Sequence, residues 1–124
     1  MQIPFGHQVI MPYLILDNAD LFVNFIQEVF NAEVSFCIRR EDEISIRHAE
    51  IHINGGTLML ASSMPDLKKE TAYLFIYVPD ANTTYKKAID AGCEIIRELQ
   101  KEDYGLTAGI KDPFGNVWWI TSVN

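Results

Sequence analysis

HAEIHINGGTLML, residues 48–60, and TAGIKDPFGNVWW, residues 107–119, decide how this chain folds. In the first stretch Ala49, Ile51 and Ile53 alternate with His48, Glu50 and His52. That period of two predicts a strand, Ile46 to Ile53, with one apolar face and one polar face. Asn54-Gly55-Gly56 is a hairpin signal, because Asn and Gly tolerate the positive φ that tight turns demand. Thr57 to Ala61 is the returning strand. The second stretch repeats the plan: strand Thr107 to Lys111, turn Asp112-Pro113-Phe114-Gly115, strand Asn116 to Ser122. At an offset of 59, Gly56 falls over Gly115, and positive φ is expected at both.

The repeat extends outward in both directions. Val9 to Leu16 predicts a strand, followed by N-cap chemistry in Asp17-Asn18-Ala19-Asp20. Leu21, Phe22, Phe25, Ile26, Val29 and Phe30 then recur at helical spacing, with Asn31 as a stop. Glu33 to Arg39 predicts the next strand, ended by Arg40-Glu41-Asp42-Glu43. Ser62 to Thr71 reads as a linker. Beyond it come a strand at Ala72 to Val78, a helix at Asp80 to Ala91 with Gly92 at its end, and a strand at Cys93 to Leu99. NAEV at Asn31 lies over GCEI at Gly92, an offset of 61. The same succession of elements at nearly constant offset argues for two copies of one βαβββ unit. The expected fold is α+β: a single domain spanning 1–124, with module one over about 8–62 and module two over about 72–123. Each unit has one sheet face for its helix and one left over. Two such sheets are expected to curl into a half-barrel, helices outside and a cavity within.

Composition narrows the function. The chain has 124 residues, 48% of them hydrophobic and 22% charged, which suits a packed globular domain. A net charge of −7 argues against nucleic acid and anionic membrane as partners. It is compatible with a neutral or cationic small ligand. No apolar run approaches the roughly 18 residues of a membrane span. The opening MQIPFGHQ shows no signal-peptide pattern. Cys37 and Cys93 make neither a disulfide framework nor a metal knuckle, so they are expected to be reduced thiols in a cytoplasmic protein.

His48, Glu50 and His52 form an unusual polar row. Neighbours at i and i+2 lie about 7 Å apart and the outer pair about 13 Å, so all three cannot converge on one ion. Three readings stay open: a polar face lining a wet cavity or subunit seam, a ligand-contacting or acid–base site at His48 and Glu50, and a displaced metal site. His7 reads as a flexible surface residue near the chain start. Cys93 follows a helix, where the dipole does not favour a thiolate.

MPYLILDNAD, EVFNAEV, HAEIHINGGTLML, YVPDANTTYKKAIDAG and KDPFGNVWWI run through nearly the whole chain. In this order they resemble the vicinal oxygen chelate superfamily (glyoxalase/bleomycin-resistance protein/dioxygenase), specifically its PhnB-like branch. DPFGN followed by an aromatic strand is the most specific piece. The resemblance implies a paired βαβββ fold, commonly a homodimer with pockets between subunits. The superfamily holds both metal-dependent enzymes and metal-free proteins that sequester drugs, so membership does not decide function.

Its catalytic members hold a divalent ion with one ligand from the first and last strand of each module. Carried over, those positions fall at Met11, Leu60, Tyr73 and Trp119. None is a credible ligand for a hard ion, so no metal and no cofactor are expected. If these positions face inward, so do Tyr13 and Ile15 beside Met11, and Phe75 and Tyr77 beside Tyr73. Leu58 would join Leu60, and Val117 would join Trp119, while Trp118 should point to the helix side.

Tyr13, His48, Glu50, Tyr73, Phe75, Tyr77 and Trp119 are thus the expected ligand-binding residues, with the rings suited to a flat apolar or cationic ligand. The first function expected is metal-independent binding or sequestration of a small molecule by a homodimer. The alternative is a lyase, isomerase or dioxygenase-type enzyme with His48 and Glu50 as catalytic candidates. A third is a protein whose job is association, its pocket occluded.

Overall fold

A computed structural model describes all 124 residues. Module one runs β1 (Tyr13–Leu16), α1 (Ala19–Phe30), β2 (Glu33–Arg39), β3 (Ile46–Ile53) and β4 (Gly56–Ser62). Module two runs β5 (Tyr73–Tyr77), α2 (Ala81–Asp90), β6 (Glu94–Glu102), β7 (Gly105–Lys111) and β8 (Val117–Ser122). The strands form two four-stranded sheets, ordered β1-β4-β3-β2 and β5-β8-β7-β6. In each, the first strand runs parallel to the last and the other pairs are antiparallel. This is the expected α+β architecture of paired βαβββ modules, with the sheets left open rather than closed into a barrel.

β1 is shorter than its apolar run. Val9 and Ile10 are exposed, and strand pairing starts only after Pro12, which has no N–H for a ladder. Before it, the Gln8 side chain does the pairing, donating to the Thr57 carbonyl at 2.7 Å and accepting from the Thr57 amide at 3.3 Å.

The two helices start differently. α2 is capped by a side chain: the Asp80 carboxylate accepts from the amides of Asn82 and Thr83. α1 has Asn18 at its N-cap in the left-handed region, with no side-chain cap. Asp17 turns away instead to accept from the Ser63 hydroxyl. Asn31, also left-handed, ends α1 as expected.

α1 buries Phe22, Phe25, Ile26, Val29 and Phe30, whereas Leu21 points to solvent. Its aromatic stripe packs on module two. Phe30 lies 4.6 Å from Trp118 between ring centroids, and Phe22 meets Phe114 edge-on at 5.6 Å. Each buried ring contributes about 1.5–3 kcal/mol. One apolar cluster therefore draws on both modules, with Leu14, Leu60 and Ile51 from the first and Trp118, Ile110 and Ile120 from the second.

The hairpins correct the sequence alignment. Ile53 pairs with Gly56, leaving Asn54 and Gly55 as a two-residue turn with φ of 48° and 87°. Positive φ belongs to Gly55, and Gly56 is already in the strand. In module two Lys111 pairs with Val117, so residues 112–116 form a longer loop, with Gly115 at φ 99° as expected. The loop is built on Asp112. Its carboxylate, only 3% exposed, accepts from the amides of Phe114 and Asn116, the Asn116 side chain and the Trp118 indole at 2.8–3.1 Å.

Unequal loops shift the faces. Leu60 registers with Leu14 and Ala49 on the fully buried helix side, so it does not line the open face with Tyr13. Met59, paired with Tyr13, takes that place. Leu58 goes to the core with Leu60. Trp118 is in the core as expected.

Candidate functional site

Each sheet turns one face to its helices and leaves the other open. On the module-one sheet, strand register sets Tyr13, Met59, Glu50 and Phe36 in one row across all four strands. His48 lies one pleat away, opposite Ile38. β3 alternates as its sequence predicts, so His48, Glu50 and His52 share this side while Ala49, Ile51 and Ile53 enter the core.

Three of these residues join a fourth that sequence reasoning left aside. His7 Nε2 lies 2.7 Å from Glu50 Oε1, and His48 Nε2 lies 2.9 Å from Glu50 Oε2. The Tyr13 hydroxyl lies 2.8 Å from His48 Nδ1. Hydrogen bonds from His48 first and His7 second hold the Glu50 carboxyl below its ordinary range. With that carboxylate ionised, both imidazoles donate to it through Nε2. A neutral His48 then keeps Nδ1 as an acceptor for the tyrosine hydroxyl. His7 is mostly buried rather than a free surface residue, and nothing in the sequence around it signals this partnership. His52 stands apart, beside Gly6 and in a polar cleft with Glu33 and Asn54.

The module-two sheet presents an aromatic face. Tyr73, Phe75 and Tyr77 alternate outward from β5 at 76%, 51% and 58% exposure. Phase and register agree with the sequence: Phe75 pairs with Trp119, which is half-buried on the same face. Phe75 and Tyr77 meet edge-on at 5.2 Å, and Tyr104 lies 6.4 Å from Phe75.

Trp119 is held by two residues that sequence reasoning missed. Gly109 is its partner on β7, and a Cβ there would fall 2.5 Å from the indole. The ring therefore lies across the glycine. Arg97, paired with Gly109 on β6, sets its guanidinium 5.6 Å from the indole centroid. A glycine inside an otherwise regular strand was the available signal, since it marks a close approach.

The four metal positions implied by the resemblance become Met11, Met59, Tyr73 and Trp119 once the register is corrected. Thioethers are too soft for the ions concerned, a tyrosine must ionise to bind well, and indole offers no lone pair. These residues do not fit a divalent ion. No group of three or more His, Cys, Asp or Glu side chains is arranged to hold one elsewhere. His7 and His48 approach opposite oxygens of Glu50 rather than a common point.

Other chemistry is limited. Burial pushes the Cys93 thiol up to about 12, with the Asp112 charge adding to the shift. Cys37 is exposed and unpaired. Between the modules an apolar cleft of about 140 Å³ is lined by Pro12, Ile53, Leu58, Leu74, Phe75 and Trp118. No helix is long and apolar enough to cross a membrane.

Known proteins share this architecture. A Mycobacterium bovis protein described as uncharacterized protein Mb0911c is 28% identical over 119 residues, covering 86% of this chain and 78% of its own. Among solved structures, the PhnB protein from Bacillus cereus superposes with a TM-score of 0.72 at 19% identity, over 94% of this chain and 100% of that one. TnmS3 from Streptomyces sp. CB03234, described as an antibiotic binding protein, gives 0.74 at 16% identity, over 100% and 99%. A family model matches residues 6–120. The chain belongs to the glyoxalase/bleomycin resistance protein/dioxygenase superfamily.

Proposed function

We propose that this protein binds or sequesters a small molecule without a metal ion. The observation that carries the reading is the open aromatic face of Tyr73, Phe75, Tyr77 and Trp119. Rings of this size are normally buried or ligand-covered, and here three of them stand more than half exposed. The positions that would supply an ion hold Met11, Met59, Tyr73 and Trp119 instead. That the fold also serves an antibiotic binding protein is consistent with this role. Tyr13, His48 and Glu50 add a polar end to the binding surface.

The protein works as a homodimer in the cytoplasm. Phe36 and Ile38 on β2, and Ile95 and Ile96 on β6, are exposed, and a second copy is the economical cover for these edge strands. Two unpaired cysteines suit a reducing compartment. A thermal-shift screen of planar aromatic compounds tests the binding role. Hits should lose their stabilisation in Tyr73→Ala or Trp119→Ala. A broad screen with no hits, or hits indifferent to both substitutions, overturns it.

A second reading rests on the His7–Glu50–His48–Tyr13 chain, which is built like a proton relay. In it, a proton accepted from a substrate at the Tyr13 oxygen would pass toward His48, whose charge Glu50 stabilises. Turnover of a carbonyl or enol compound that Glu50→Gln abolishes while Trp119→Ala spares would favour this reading over the first.

A further inference from the structure

We propose that the module-two face recognises a planar aromatic ligand through a carboxylate, with Arg97 as the anion-binding residue. This rests on the binding role above and names its ligand class. The net charge of the whole chain points the other way, but the local charge decides binding. The chain's own Arg97 already occupies the cation position over Trp119. A ligand cation brought to that indole would meet a guanidinium.

Arg97 has no carboxylate partner. The ion pairs of the structure are Arg39 with Asp20, and Glu50 with His7 and His48. Strand register gives the charged groups on this face. One row runs Phe75–Trp119–Gly109–Arg97. The row beside it runs Tyr73–Val117–Lys111–Glu94, where the carboxylate sits opposite a lysine, and the other carboxylate in register, Glu102 opposite Gly105, accepts from the Gln100 side chain. The row on the other side, Tyr77–Thr121–Thr107–Gln100, is uncharged.

Its place 5.6 Å over the Trp119 ring restrains the guanidinium, and its N–H groups have no side-chain or carbonyl acceptor. That arrangement suits two parallel hydrogen bonds to a carboxylate. Phe75, with Tyr77 edge-on at 5.2 Å and Tyr104 tilted at 6.4 Å, supplies an apolar surface for the rest of the molecule. Gly109 completes the arrangement, because any side chain there would lift the indole off the sheet.

Calorimetric titration with three naphthalene probes of one shape tests this: 2-naphthoate, 2-naphthylmethanol and 2-naphthylmethylammonium. The carboxylate should bind at least about tenfold more tightly than either isostere. Arg97→Gln should erase the difference and Arg97→Lys should restore part of it. Neither variant should change the far-UV spectrum, since Arg97 is exposed. Equal or tighter binding of the alcohol or ammonium probe, lost in Trp119→Ala, overturns the carboxylate preference while leaving the binding role standing. Binding of none of the three overturns it as well, and the broad screen then decides the binding role separately.

Discussion

Adding one methyl group at Gly109 tests how the aromatic face is built. The backbone there does not have positive φ, so alanine meets no conformational penalty. Its Cβ would lie 2.5 Å from one indole carbon of Trp119 and 2.9 Å from two others. Carbon atoms are not found at such separations, so the ring must move. Overpacking of this kind costs about 1–3 kcal/mol in a closed core. Replacing a strand glycine with alanine returns about 0.5–1 kcal/mol of backbone entropy. Trp119 is half-buried on an open face and can swing outward, which keeps the cost at the low end of its range. The net loss for Gly109→Ala should thus be about 0–1 kcal/mol by urea unfolding. The fluorescence change should be larger than that stability suggests. Trp118 is buried and unaffected, so a red shift reports Trp119 leaving the sheet and its Arg97 stack. An unchanged spectrum together with unchanged or increased stability would refute the flat-indole geometry and the site built on it.

Glu50 makes a pH prediction. Its folded pKa is lowered, so its contribution to stability is present above the ordinary carboxylate value and is lost as pH falls through the folded one. Glu50→Gln should flatten the acid limb of a stability–pH curve, and an unaltered acid limb would count against the His7 and His48 contacts. At the first hairpin, Gly55→Val should destabilise by about 1–3 kcal/mol, because Gly55 has φ of 87°. Gly56→Val should cost much less, and equal costs in thermal melts would reject the two-residue turn. Asp112→Ala strands four N–H donors in a buried loop and should cost at least about 3 kcal/mol in chemical denaturation. A cost below about 1 kcal/mol would mean that the loop is not held as described.

The periodicity of β3 and the helical spacing of Phe22, Phe25, Ile26, Val29 and Phe30 made the modules legible, because burial imposes those periods directly on sequence. The site was only half legible. Tyr73, Phe75, Tyr77 and Trp119 declare their face by alternation. Alternation puts Leu60 on the wrong face because it cannot count the residues in a loop, and the Asp112 loop is longer than the Asn54-Gly55 turn. One residue of difference exchanges the faces of a strand. His7 and Arg97 were invisible for another reason. Each gains meaning only from a partner distant in sequence, Glu50 for the first and Trp119 for the second. Arg97 also lies on a β6 that is exposed along most of its length and shows no burial pattern.

Metal independence is the center of the account, and elemental analysis combined with ligand titration tests it most directly. Protein purified without chelator should carry no stoichiometric nickel, zinc, iron or manganese. The affinity for a planar hit from the screen should be the same with and without EDTA. About one tightly held ion per chain, or an affinity that collapses on chelation and returns with added metal, would contradict the account.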